Sequence, residues 1–165
     1  MENIKKSNDA FLQQFRGARI KRISRECSNL YPHFPNVVLS SISGKIEMVI
    51  TEGKEKYGFI FNDCYPFKPP QIYYNGESYL ELLKINDKEE KNVLRKYRNK
   101  DCLCCDSYYC NDNWSPSLTL KIIIDEIKEI VHLKKTIIHL LLADKIKKKY
   151  LIDDIDINSY LIQIN

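Results

Sequence analysis

Three short runs between residues 36 and 63 constrain the fold of this chain most. "NVVLSSI" and "GKIEMVIT" flank a Ser-Gly turn signal, and "KYGFIFND" follows a second turn at "TEGKE". Ile46, Met48 and Ile50 recur at a period of two, as do Phe59 and Phe61. That period places alternate side chains on one face, so the runs predict an antiparallel meander with a single buried face. "CYPFKPPQIYYNG" comes next. Its three prolines lack the N–H that a central strand needs, so they predict a rigid extended turn, with "QIYY" as one more short strand. The expected sheet has about four strands.

Helical patterns flank the sheet. Residues 9–30 read as one helix, with Phe15, Ala18, Ile20, Ile23, Cys27 and Leu30 on the apolar side and a run of basic residues elsewhere. The basic run is either a solvated face or a docking surface for an acidic partner. "YPHFP" ends that helix. Residues 76–101 form a highly charged insertion, read as a short surface helix or a mobile loop. "SPSLTLKIIIDEIKEIVHL" predicts a central helix capped by Ser115 with Pro116 in its first turn. "KKTIIHLLLADKIKKKYL" predicts a further helix, and "IDDIDINSYLIQIN" a last helix or docked tail. Strands first and helices later give an α+β class, with helices on one face of the sheet.

The chain has 165 residues and is read as a single domain, 1–165, without repeats or a linker. Its net charge of +4 is only mildly basic and does not require a nucleic-acid partner. No apolar run reaches the roughly 18 to 20 residues that span a bilayer, and "MENIKKSNDAF" lacks the apolar core of a signal peptide. The expected setting is therefore cytoplasmic or nuclear, with no membrane partner. In that reducing setting thiols stay free, bind metal or do chemistry.

Four of the six cysteines, Cys102, Cys104, Cys105 and Cys110, fall within nine positions of "DCLCCDSYYCNDNWSPSLTL". A four-thiolate zinc site is one reading. The spacing argues against a standard site, because adjacent Cys104 and Cys105 are not expected to aim at one ion. Cys27 and Cys64 read as packed core thiols. His33, His132 and His139 are scattered and make no evident Cys–His pair. A cysteine protease needs such a base, so that class is disfavoured. Trp114 reads as a core anchor for the helix that follows it.

Two segments bear a family resemblance. "YPFKPP", Tyr65 to Pro70, resembles the signature after the third strand of ubiquitin-conjugating enzymes, and "NWSPSLTL", Asn113 to Leu120, resembles the opening of their second helix. They occur in the family's order with a cysteine-containing loop between them, and "RIKRISREC" is similar to the family's basic first helix. The resemblance covers about residues 15–133. It implies the ubiquitin-conjugating-enzyme-like fold. It also implies a cysteine thiolate that accepts ubiquitin, or a ubiquitin-like protein, as a thioester from an activating enzyme. The modifier then passes to a lysine directly or through a ubiquitin ligase. No cofactor is implied, since ATP is used only by the activating enzyme.

The family nucleophile is usually followed by Leu and precedes the Trp. Cys102-Leu103 supplies that dipeptide with Trp114 twelve residues on, whereas Cys105, nine before the Trp, fits the spacing without the Leu. Cys102 is therefore the first candidate, with Cys105 and Cys104 as alternates. The resemblance also implies a ligase-facing surface of Phe67, Ser115, Pro116 and Ser117, and an activating-enzyme-facing set of Lys21, Arg22 and Arg25. The family's His-Pro-Asn triplet is absent where it should fall, near Leu80 to Leu82. Asn99, Asn111 and Asn113 are the asparagines close enough in sequence to replace its oxyanion donor. Losing such a donor costs about 2.7–4 kcal/mol of transition-state stabilisation. The missing triplet leaves a second expectation open, a catalytically inactive ubiquitin-conjugating-like binding module.

Overall fold

The computed structural model describes residues 2–100, 102–110 and 113–150. The elements are α1 (Glu2–Leu12), α2 (Ala18–Leu30), β1 (Asn36–Ile42), β2 (Lys45–Glu52), β3 (Glu55–Phe61), β4 (Gln71–Tyr74), β5 (Glu77–Ser78), α3 (Tyr79–Leu82), α4 (Lys88–Arg98) and α5 (Leu120–Tyr150). The chain is α+β, with helices at both ends of a five-stranded antiparallel sheet of order β1-β2-β3-β4-β5. The expected tail after residue 150 lies outside the described residues. Among the described residues no helix is long and apolar enough to cross a membrane.

The period-two pattern becomes the buried face. Leu39 pairs with Met48, and Met48 with Phe59. Val37 pairs with Ile50, Ile50 with Tyr57, and Phe59 with Ile72. All of these side chains are buried, in one core with Ile23, Cys27 and Leu30 of α2 and Ile123, Ile124 and Ile127 of α5. At roughly 25 cal/mol per Å² of apolar surface, each such residue stabilises the fold by about 1.5–3 kcal/mol.

Tight turns set the register. Ser43 and Gly44 both take positive φ, 51° and 76°, in the two-residue loop joining β1 to β2. This twist matches that of the flanking strands. Asn75 and Gly76 do the same before β5, at 51° and 86°. Asn75 also accepts a hydrogen bond from Lys56 N at 2.8 Å, which ties the hairpin back to β3. The strand β5 was not expected, although Asn-Gly after "QIYY" is a strong hairpin signal.

The expected helix over residues 9–30 is two helices. Its apolar periodicity continues through the break, but Gly17 takes φ 116°, which L side chains rarely adopt. The first helix instead reaches back to Glu2, and its buried Asn8 covers the sheet edge. Asn8 Nδ2 donates to Val37 O at 2.6 Å, and Oδ1 accepts from Leu39 N at 3.0 Å. Backbone groups of β1 that would otherwise be an open edge are thereby paired.

Residues 76–101, expected as a surface helix or loop, hold α3 and α4. Asp87 caps α4, accepting from Glu89 N at 2.7 Å and Glu90 N at 3.0 Å, and Leu94 buries its apolar side. The two helices expected after residue 115 are one. No proline or glycine lies between residues 120 and 150, so nothing interrupts α5. It starts at Leu120 rather than beside Ser115. Ser115 is used in a turn, with Leu118 N bonded to Ser115 O at 3.0 Å, and Thr119 Oγ1 accepts from Ile122 N at 3.4 Å.

Candidate functional site

The cysteine loop runs from the end of α4 to the start of α5. Asn99 ends α4 in the left-handed conformation, φ 55°. Leu103, 6% exposed, inserts into the hydrophobic core. That anchor holds Cys102 immediately before it. Cys104 to Asp106 form a single 3-10 turn, with Lys100 paired to Asp106 across it. Ser107 is buried, and Tyr108 N donates to both Glu126 carboxylate oxygens at 3.2 and 3.3 Å. Asn113 Nδ2 donates to Cys105 O at 2.9 Å and Ser107 O at 3.1 Å. The loop is therefore pinned by one apolar plug and several polar ties.

The structure brings Cys102, Cys104 and Cys105 together, with all three sulfur atoms within 4.8 Å of one another. Cys110 is not in the group. Adjacent Cys104 and Cys105, not expected to aim at one ion, are brought close together. In a 3-10 turn successive side chains lie about 120° apart, so neighbouring thiols can flank one point. Cys102 Sγ and Cys105 Sγ lie 3.0 Å apart, within hydrogen-bonding distance. Hydrogen bonding by the Cys105 thiol holds Cys102 below the ordinary thiol range. The same bond, with a further one to Cys104, pushes Cys105 up to about 12. Cys104 is also raised, chiefly by its bond with Cys102.

The thiolate is the reactive form, so alkylation should report this order directly. With its pKa lowered, Cys102 carries more thiolate than Cys105 at every pH between the two values. Iodoacetamide followed by peptide mass spectrometry should label Cys102 first near neutral pH, with Cys105 gaining label only as pH approaches about 12. Equal labelling of both at neutral pH would contradict the arrangement.

Of the three grouped thiols only Cys102 lines a cleft, of about 330 Å³, between α4, the loop and α5. Arg98 and Lys100 line it together with Asp125, Glu126 and Glu129. Burial pushes the Glu126 carboxyl up, while hydrogen bonding by Ser107 and the Tyr108 amide opposes the rise. Glu126 was not singled out from sequence. Its signal was a carboxylate three residues after Ile123 and four before Ile130, on the face that should be apolar.

The other expected site residues divide. Phe67 is 78% exposed, and Pro116 and Ser117 are exposed beside half-buried Ser115. Trp114 is half-buried, and its indole N–H donates to Pro66 O at 2.8 Å, joining the proline turn to the segment before α5. Lys21 and Arg25 are exposed on α2. Arg22 turns inward: Nε donates to Glu26 Oε1 at 2.7 Å and a terminal nitrogen donates to Leu118 O at 2.6 Å. Its guanidinium is committed to the fold rather than offered to a partner. Cys27 is buried as expected, and desolvation pushes it up to about 12. Cys64 is exposed instead, because it opens the proline turn and its carbonyl accepts from Phe67 N and Lys68 N.

Among the asparagines, Asn113 spends its amide on loop carbonyls, Asn99 serves as the helix end, and Asn111 lies outside the described residues. Compared with protein-family models, curated proteins and solved structures, the chain has no match in any of the three.

Proposed function

We propose that this chain is a divergent ubiquitin-conjugating enzyme in which Cys102 is the thioester nucleophile. The observation that carries the reading is the placement of Cys102. It alone of the grouped thiols faces the cleft, directly before a leucine locked in the core. In the proposed step the Cys102 thiolate attacks the carbonyl of the thioester between activating enzyme and ubiquitin. The activating enzyme's thiolate leaves. An acceptor lysine amine later attacks the new thioester, its proton passes to solvent, and the Cys102 thiolate is released. The lowered pKa of Cys102 keeps that leaving group good. Incubation with activating enzyme, ATP and ubiquitin should give an adduct that thiol reagents remove.

The exposed turn of Phe67 and Pro116 supports a ligase-facing surface. Aromatic anchors commonly dominate such interfaces. Phe67→Ala should leave stability within about 0.5 kcal/mol, because an exposed side chain holds little of the core. It should weaken docking of a ligase that discharges the thioester by about 2 kcal/mol, roughly thirtyfold. Thermal denaturation and a binding titration read the two effects separately; an unchanged affinity would remove Phe67 from the surface.

A second reading is favoured by one observation. Asn113 is occupied by Cys105 O and Ser107 O, and so is not a free oxyanion donor. That arrangement suits a ubiquitin-conjugating-like binding module that keeps the docking surface and performs no transfer. Binding of ubiquitin or a ligase without any thiol-sensitive adduct would identify it.

A further inference from the structure

The grouped thiols have a use that the proposed transfer does not require. Transfer needs one nucleophile, and three sulfur atoms converge here. Cysteine without a role beyond packing is among the most buried residue types, as Cys27 illustrates. Cys104 and Cys105 are exposed, and Cys102 is half-buried. Their backbone is nonetheless fixed from both sides, by Leu103 in the core and by Asn113 on Cys105 O. The loop thus holds three soft donors in place at the surface.

We propose that Cys102, Cys104 and Cys105 form a three-thiolate site for a soft d10 cation, of the Zn²⁺ or Cu⁺ kind. The distances suit this. With zinc–sulfur bonds of about 2.3 Å, tetrahedral ligands lie about 3.8 Å apart. One sulfur pair lies 3.0 Å apart and all three lie within 4.8 Å of one another, in the range of that value. Thiolate selects soft ions over Mg²⁺ or Ca²⁺. Three ligands complete a trigonal Cu⁺ site, or leave Zn²⁺ a fourth position open to water. No redox step is involved: each neutral thiol releases its proton to solvent as its sulfur binds. The inference does not rest on the thioester reading, although an ion on Cys102 would exclude a thioester there.

The test uses the full chain, reduced and freed of metal by chelation, without activating enzyme or ubiquitin. In separate anaerobic arms, Zn²⁺ or Cu⁺ is added in competition with a chromophoric chelator. Co²⁺ added as a spectroscopic probe should give thiolate-to-metal charge-transfer absorption. The protein should take up a single equivalent in at least one of the first two arms, and the preferred arm identifies the ion. Cys104→Ser and Cys105→Ser should each weaken uptake at least about tenfold, and Cys64→Ser should leave it unchanged. Absence of uptake in both arms would overturn the proposal. So would an equal loss in Cys110→Ser, which would show a different ligand set. A failed ubiquitin-charging reaction has no bearing on either outcome.

Discussion

Glu26→Ala should cost the protein about 3–5 kcal/mol, the penalty for breaking a buried, hydrogen-bonded ion pair from one side. The Glu26 side chain is 1% exposed and serves three partners. Oε1 accepts from Arg22 Nε at 2.7 Å and from the Tyr65 hydroxyl at 3.3 Å, and Oε2 accepts from Leu120 N at 3.0 Å. One carboxylate thus joins α2, the proline turn and the first amide of α5. Removing it leaves a partly buried guanidinium and an unpaired helix-end N–H together. Domains of this size hold only about 5–15 kcal/mol in total. With an m-value of about 2 kcal/mol/M, the urea midpoint should fall by roughly 2 M. Combining Glu26→Leu with Arg22→Met should recover part of the loss, since no charge is then left unpaired. A loss below about 1 kcal/mol for Glu26→Ala would mean that water or another group replaces the carboxylate.

This cluster was illegible in the sequence for the reason that makes it important. Arg22 reads as one of several basic residues on a helix, and nothing local says that Glu26 draws it inward. The partner groups, Leu118 O and Leu120 N, stand more than 90 positions away. The sheet was legible because its information is local. Alternation in "KIEMVITE" and "EKYGFIF" fixes which side chains face the core, and Gly-containing turns fix where strands reverse. Helix ends were less readable. The apolar period runs through Gly17 unbroken, and Ser115-Pro116 mimics a start that tertiary contacts move to Leu120. In the site, the Cys-Leu dipeptide made Cys102 the first candidate, and the structure buries Leu103 in the core. The convergence of Cys104 and Cys105 was missed because it depends on a 3-10 turn of three residues. Such a turn has too little length to leave a periodic trace.

Cys102→Ser should abolish the thiol-labile ubiquitin adduct, the largest functional change expected of any single substitution. Serine keeps the shape of the site but lacks a readily ionised nucleophile, so at most a slowly formed oxyester that resists thiol reagents should remain. Cys105→Ser should act more gently. It removes the thiol that chiefly lowers Cys102. Charging should then slow near neutral pH and recover as pH rises, because Cys102 titrates later. Cys64→Ser, an exposed thiol outside the loop, should charge like the parent. The most direct measurement is therefore single-turnover charging of the parent and these variants with activating enzyme, ATP and ubiquitin, followed by electrophoresis with and without reducing agent. The account predicts a thiol-labile adduct in the parent that vanishes in Cys102→Ser. No adduct with any activating enzyme, or one that survives Cys102→Ser and is lost in Cys105→Ser, would contradict it.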